Sequence, residues 1–526
     1  MEDQAEIATQ TIVPVELAVG LASDGTKKKA LAVRRKHWGS RTFRFRLESF
    51  RLGANFSLRR FSMTEATLLF SLAYMASKVL GVIRQLLFNY MFGTGPQATA
   101  YIAAFNLPDT IFGLIAGGAL TSALIPVFIS YEQREGEQET WRLVSLVFNI
   151  LLVILTVCIL LVECFAPQIV NHLLVPGLPP AERALTTTLT RIMLLHSLIL
   201  GLGTVMNAVL NSRRQFLLPA LSIAIYDFGL IGGLLLARAI PSLGIYGPTI
   251  GLVVSGVCQV GIQIPALLKQ GVKYSFIWNL KHPGLRDIMK LLGPGILALG
   301  ISAVTSTLDT TFASYLPDKA SIAALQDAIL FYSVPLVFLA QAVSQALLPP
   351  ITLQCAQKHY LRMSLTIVKV VGGAVLLSIP AALGLYVFGK PAIRILLQHG
   401  AFTAHSTALT YMALTGYVIG LPGLAAVGLL ALCFYAMKDA KTPLFVSLVI
   451  AALHVGFLIL LVRIVTGPHA ILAIPLTTAI IVTIQAMIMA LLLFWRLRAM
   501  IKRDQGFQRL QMRRLRVEKL KLQAKL

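Results

Sequence analysis

Apolar runs of about twenty residues or more follow one another along most of this chain, separated by short polar breaks. A bilayer core takes about 20 apolar residues per helix. Spans on that scale fall at 62–92, 97–130, 143–165, 184–210, 216–237, 246–268, 288–315, 324–351, 363–388, 407–437, 443–465 and 471–495. The pattern predicts an all-α polytopic membrane protein of about 12 transmembrane helices. A basic tail, 1–61, precedes the first span, and a second, 496–526, follows the last.

The connections set an orientation. Numbered in order, the even ones carry Arg134, Arg213, Arg214, Lys269, Lys281, Arg362, Lys438 and Lys441, whereas the odd ones carry five basic residues: Arg183, Arg238, Lys319, Lys390 and Arg394. Lys and Arg accumulate on the cytoplasmic side, so the even connections and both tails are expected there.

Composition agrees with the pattern. Of 526 residues, 56% are hydrophobic and 13% charged, about half the charge of an ordinary soluble domain. A net charge of +24 would suggest nucleic acid, but its placement redirects that reading. Twelve of the 46 Lys and Arg lie before Phe61 and 11 from Arg496 onward. Such tails attract anionic membrane lipids, by about 1 kcal/mol per residue near the surface, and these lipids are the expected partners there. Phe43, Phe45, Phe50 and Phe56 alternate with arginines, which fits an interfacial segment or a solvated tail.

The chain repeats itself. Ala119–Pro126 reads ALTSALIP and Ala342–Pro349 reads AVSQALLP, 223 residues later. Pro219, after Arg213 and Arg214, is matched by Pro443, after Lys438 and Lys441, at an offset of 224. The reading is an N-lobe over 62–268 and a C-lobe over 284–495, six helices each. An even number of helices keeps both copies in the same orientation, so the lobes are parallel repeats about an axis along the membrane normal. Carriers of this build bind substrate between the halves and rock them for alternating access.

Charges inside spans are costly and point to function by default. Lys369 and Arg463 lie near span ends, where side chains snorkel. Lys78 lies deep in the first span, and Lys78, Gly81 and Arg84 recur every three residues as a stripe on one side of the helix. Lys78 and Arg84 are the candidate substrate-binding cations, with Gly81 permitting close approach. Pro108 and Asp109 mark an expected helix break and gate. Asp309, with its neighbour Thr310, follows the break-prone Gly293-Pro294-Gly295 and is the candidate for coupling to a cation or a proton. Asp227 and Asp327 read as helix–helix hydrogen-bonding residues, and His196 and His454 as core histidines. Cys158, Cys164, Cys258, Cys355 and Cys433 show no metal-ligand spacing and read as reduced core residues. No Walker A and no HExxH occurs, so a carrier is expected rather than an enzyme, with no cofactor beyond a coupling ion. The pattern sets no oligomeric state.

Several segments, taken in order, resemble the MurJ/MviN family. They are Ser77–Arg84 (SKVLGVIR), Phe92–Gly95 (FGTG), Ala104–Pro108 (AFNLP), Gly118–Pro126, Leu347–Pro349, Gly400–Ala404 (GAFTA) and Phe434–Pro443 (FYAMKDAKTP). The likeness covers about residues 62 to 498. It implies a fold shared with multidrug and polysaccharide exporters. It also implies flipping of lipid II, the undecaprenyl-pyrophosphate-linked peptidoglycan precursor, through a cationic cavity between two lobes. Asp309 matches the aspartate of a sodium site found in the second lobe of family members. The departures are specific. Lys78 replaces an arginine, which keeps the charge and loses the bidentate fork. Gln85 and Thr99 replace acids. The family's arginine on the second span falls near Phe112 or Gly113, its Asp-Arg pair on the eighth near Ile329 and Leu330, and the sodium-site partners near His454 and Leu458. The scaffold is thus retained while much of the diphosphate-handling charge is not. Another lipid-linked polysaccharide, an amphipathic small molecule, or a non-transporting scaffold role stand as alternatives.

Overall fold

The computed structural model describes residues 63–115 and 118–523, with side chains as far as residue 504. The expectations for the N-terminal tail therefore lie outside the described residues. Sixteen α-helices occur among the described residues: α1 Met63–Phe92, α2 Pro96–Ile115, α3 Gly118–Arg134, α4 Glu137–Ile169, α5 Pro180–Ser212, α6 Leu217–Ala239, α7 Tyr246–Gly261, α8 Ile264–Lys269, α9 Pro283–Ser314, α10 Ser321–Leu336, α11 Val343–Ala356, α12 Tyr360–Leu397, α13 Ala404–Ile419, α14 Leu421–Ala436, α15 Lys441–Ile464 and α16 Ala473–Gln523.

Nine helical segments among these residues are long and apolar enough to cross a membrane, and α13 with α14, bent by 49°, makes a tenth. The two other expected spans are the helices α1 and α9, of 30 and 32 residues. At 1.5 Å per residue both exceed a bilayer core in length. Each carries polar groups among its apolar ones: Arg84, Gln85 and Asn89 on α1, and Thr307, Asp309 and Ser314 on α9. The last helix continues past the membrane-length segment into the basic C-terminal tail.

Two expected breaks are absent. Helix α2 runs through Pro108. A proline cannot bond the carbonyl four residues back, and here that carbonyl, on Ala104, accepts from Thr190 Oγ1 at 3.4 Å. The Pro108 carbonyl itself accepts from Ser197 Oγ at 2.7 Å. Side chains of α5 thus satisfy the backbone that the proline leaves free, and the helix does not open. Helix α9 likewise runs unbroken through Gly293-Pro294-Gly295.

The apolar cores show how the halves meet. One gathers Leu124, Phe128, Trp141, Leu155 and Leu210 from the first half. Another gathers Leu347, Ile367, Leu429, Phe434 and Leu493, all from the second. A third joins both halves: Val170, Leu174 and Leu178 pack with Ala313, Ile322, Leu397, Phe402 and Leu414. Its residues cluster around the odd connections. The halves therefore share a core at the odd-connection end and keep separate cores at the other. Helix α9 is the exception, because Ile288 and Leu292 at its start belong to the first half's core.

Backbone geometry supports the duplication. Arg214 and Lys438, both non-glycine residues with positive φ (60° and 59°), lie 224 positions apart, each just before a helix of the repeat. Gly177 and Gly400 lie 223 apart and perform matching work across the halves. The Gly177 N–H donates to Ser314 Oγ at 3.0 Å. Beside Gly400, the Ala401 N–H donates to the Tyr90 carbonyl at 2.8 Å. Each half thus lays its third-connection loop on the end of the other half's first helix.

Candidate functional site

A cavity of about 530 Å³ lies between the halves, walled by α1, α2 and α6 on one side and by α9, α10 and the start of α16 on the other. Arg84, Asp109, Asp309 and Thr310 all line it. Four of the expected site residues, up to 226 positions apart in the chain, therefore share one chamber.

The chamber is not cationic. Among its lining residues Arg84 is the one base, set against the carboxylates of Asp109 and Asp309. Arg84 is also occupied. Its Nη1 lies 3.0 Å from Oδ1 of Asp227, which is 3% exposed on α6. Oδ2 of the same carboxylate accepts from Ser77 Oγ at 2.5 Å, and the guanidinium stands over the Tyr226 ring at 5.8 Å. A buried carboxylate needs such partners, because desolvation without them costs several kcal/mol. Gly81 lies beside this pair, but a Cβ there would stand 3.8 Å from Asp227 Oδ1, an ordinary contact. The close approach expected of Gly81 is not a steric requirement.

Lys78 does not line the chamber. It is exposed, with Nζ 5.1 Å from the centre of the Tyr74 ring. Residues i, i+7 and i+11 share a helix face, so Lys78 lies on the same strip as Gln85 and Asn89. Those two reach across to the second half: Gln85 Nε2 donates at 2.9 Å and Asn89 Nδ2 at 2.7 Å to Oδ1 of Asp327, which is 1% exposed. Lys78 continues their strip toward the end where the cores separate.

Asp309 is bonded to α15, where His454 Nε2 lies 2.8 Å from its Oδ1. Thr310 accepts from Asn106 Nδ2 at 2.8 Å and donates to the Ser306 carbonyl at 3.2 Å, so its hydroxyl ties α9 to α2. Three residues read from sequence as plain structural groups thus complete the site: Asp227 holds Arg84, Asp327 joins the halves, and His454 holds Asp309. Their signal in the sequence is only that each is polar within an apolar span.

A family model described as lipid II flippase MurJ matches residues 88–521. The chain belongs to the lipid II flippase MurJ family. A probable lipid II flippase MurJ of Rhizobium meliloti is 27% identical over 390 residues, covering 73% of this chain and 72% of that protein. The lipid II flippase MurJ of Burkholderia cenocepacia is 27% identical over 378 residues, 71% of this chain and 73% of its own length. Among solved structures, lipid II flippase MurJ in an inward closed conformation superposes with a TM-score of 0.70 at 26% identity, covering 80% of this chain and 86% of that one. An inward-facing MATE-family transporter of the MOP superfamily gives the same TM-score at 13% identity, covering 82% and 96%, and shows a shared fold. The chain is thus a multi-pass bacterial inner-membrane transporter rather than an enzyme.

Within the MurJ family, one departure of this chain has a structural partner. The residue after Arg84 is Gln85 rather than an acid. An acid there would face the Asp327 carboxylate with like charge, whereas the amide donates a hydrogen bond to it.

Proposed function

We propose that this chain moves lipid II from the cytoplasmic to the outer leaflet by alternating access, with the odd-connection end and the chamber's seal facing outward and both termini cytoplasmic. The observation that carries this reading is the chamber itself. It lies between two repeat-related halves, holds Arg84, Asp109 and Asp309 among apolar walls, and has a shared core toward one end and separate cores toward the other. In this reading Lys78, exposed on the strip of Gln85 and Asn89 toward the end where the cores separate, meets the diphosphate first, and Arg84 offers a second cation deeper in. Phosphate oxygens favour such charge-assisted partners in a low-dielectric site. Arg84 leaves Asp227 as the anion arrives, so the ion pair is a switch between the empty and loaded states. Coupling to a cation falls to Asp309 with Thr310 beside it. The imidazole already bonded to Asp309 favours a proton, taken up and released between His454 and the carboxylate, over Na⁺. The basic tails rest on anionic lipid.

The test is complementation of a flippase-depleted bacterium, with lipid II accessibility measured at the outer face. The wild-type chain restores growth and accessibility. The Lys78→Ala, Arg84→Ala double variant, expressed to the same level, restores neither. Full rescue by the double variant overturns the assignment of the two cations.

A further inference from the structure

The connection between the two halves, from α8 to α9, has neither helix nor strand over residues 272–279 and is clamped to α4. The Ser275 N–H donates to Ser145 Oγ at 3.2 Å. Asn149 Nδ2 donates to the carbonyls of Ser275 at 3.4 Å and Ile277 at 3.2 Å, and Asn149 Oδ1 accepts from the Tyr274 hydroxyl at 2.7 Å. Ser145 and Asn149 are both buried. Every second side chain, Tyr274, Phe276, Trp278 and Leu280, is left 50–81% exposed, the one-sided alternation of an extended chain. The far end of the connection is pressed on the same half, because a Cβ on Gly284 would stand 2.8 Å from Leu143 Cδ2 and 3.0 Å from Tyr131 Cζ.

A stripe of four large apolar side chains marks a binding surface, and its level on α4 says what covers it. Helix α4 carries no charge over residues 143–162, between Arg142 and Glu163. Those 21 residues rise about 32 Å at about 1.5 Å each, close to a hydrocarbon core of about 30 Å. Ser145 and Asn149 follow Arg142 by 3 and 7 residues, so the stripe crosses α4 about 5–10 Å inside that border. Tyr and Trp concentrate at such a border. Non-helical backbone there needs its polar groups satisfied by protein, which is what Ser145 and Asn149 do. Charge agrees with depth. Lys273 and Lys281 bracket the stripe, both exposed. The acids nearby in the chain are already paired: Glu137 with Arg213, Glu139 with Arg142 and Asp287 with Lys290.

We propose that this connection is an interfacial strap that docks on anionic phospholipid at the even-connection face. Phe276, Trp278 and Leu280 enter the upper acyl chains, and Lys273 and Lys281 meet the lipid phosphates. The grip falls on the first half, to which the strap is bonded.

The experiment uses the full-length chain in phosphatidylcholine vesicles that contain a minor fraction of lipid brominated near the head-group end of its acyl chains. The brominated lipid is phosphatidylglycerol in one set and phosphatidylcholine in the other. The readout is tryptophan fluorescence. Subtracting the signal of Trp278→Phe isolates Trp278 from the other tryptophans of the chain, and Trp278→Tyr serves should that variant fail to fold. Trp278 is expected to be quenched, by brominated phosphatidylglycerol about fivefold more effectively than by brominated phosphatidylcholine at the same fraction. Lys273→Gln with Lys281→Gln removes that preference and leaves the quenching. Bromines moved to the acyl ends quench less. Equal quenching by the two head groups in the parent chain overturns the anionic-lipid site. A Trp278 open to aqueous acrylamide and untouched by bromine overturns the strap and leaves the stripe to a protein partner. The readout needs no transport, so failure here leaves the flippase reading standing.

Discussion

The two ends of the interface between the halves are built on opposite principles. At the odd-connection end the halves interlock through backbone. Gly177 lies against Ser314, Ala401 bonds Tyr90, Thr94 and Ser406 share a hydrogen bond at 2.7 Å, and an apolar core runs across the join. At the even-connection end the cores separate, and α9 is the helix that crosses, through Ile288 and Leu292. There the first half is tied down from within itself: Arg213 bridges Glu132 and Glu137 at 3.3 and 3.0 Å and stands 4.5 Å from the Trp141 ring centre. The contrast teaches where motion is stored. Opening the sealed end breaks contacts between halves, while opening the other end breaks none of those bonds.

The most severe way to break this contrast is to wedge the seal. A Cβ on Gly177 would stand 2.3 Å from the Ser314 carbonyl oxygen, and one on Gly400 the same distance from that of Tyr90. Both obstacles are backbone, and Gly400 also has φ +60°. Overpacking of this kind costs about 1–3 kcal/mol. The Gly177→Ala, Gly400→Ala double variant is expected to lose transport in the complementation assay. A cysteine placed at Thr94, buried in the seal, should then react about tenfold faster with an impermeant maleimide. Unchanged labelling and transport would remove the glycines from the seal.

A smaller perturbation acts at Asp327. Its Oδ1 takes two donors from the first half, while Oδ2 is buried without a partner. Gln85→Glu replaces a donor with a second carboxylate. Charge-assisted hydrogen bonds contribute about 1.5–3 kcal/mol, so this variant should loosen the same seal by a lesser amount than the glycine pair. Gln85→Glu combined with Asp327→Asn restores a donor opposite an acceptor and should recover the labelling rate of the parent. A double variant as open as the single one would mean that Asp327 does not join the halves.

These residues mark how far the sequence could be read. The spans, the repeat and the family were legible because each is local or periodic: twenty apolar residues, a motif at an offset of 223, and a run such as FYAMKDAKTP. Arg84, Asp109 and Asp309 were legible as polar groups in lipid, and the fold brings them together. What was not legible is pairing. Asp227 is 143 residues from Arg84, Asp327 is 242 from Gln85, and His454 is 145 from Asp309. The charge of a chamber depends on which carboxylate faces which base, and a pattern along one helix does not contain that. Pro108 failed as a break for the same reason, since Thr190 and Ser197, which satisfy its surroundings, lie on another helix.

The smallest expected effect lies at the even-connection end, in the segment that carries the family motif. Asp439 sits between α14 and α15. It accepts from the backbone N–H of Lys441 and Thr442 at 3.1 Å each and from Thr442 Oγ1 at 2.7 Å, and it pairs with Arg496 on α16. It therefore satisfies two of the N–H groups that a helix start leaves open. Partial burial pushes its carboxyl upward, but the Thr442 side chain and backbone, the Arg496 charge and the Lys441 N–H outweigh it, and the net shift is below the ordinary carboxylate value. With a folded value depressed below the unfolded one, the stabilisation is fully present above the unfolded value and is lost as pH falls through the folded value. Asp439→Ala should cost about 1 kcal/mol at neutral pH. Arg496 is 43% exposed, so its charge adds little beyond that. The midpoint of the variant should converge on that of the parent as pH is lowered into the acid range, while transport at neutral pH is retained. A midpoint difference that persists undiminished at low pH would assign the effect to packing instead, and a loss of transport would show that this end also carries part of the gate.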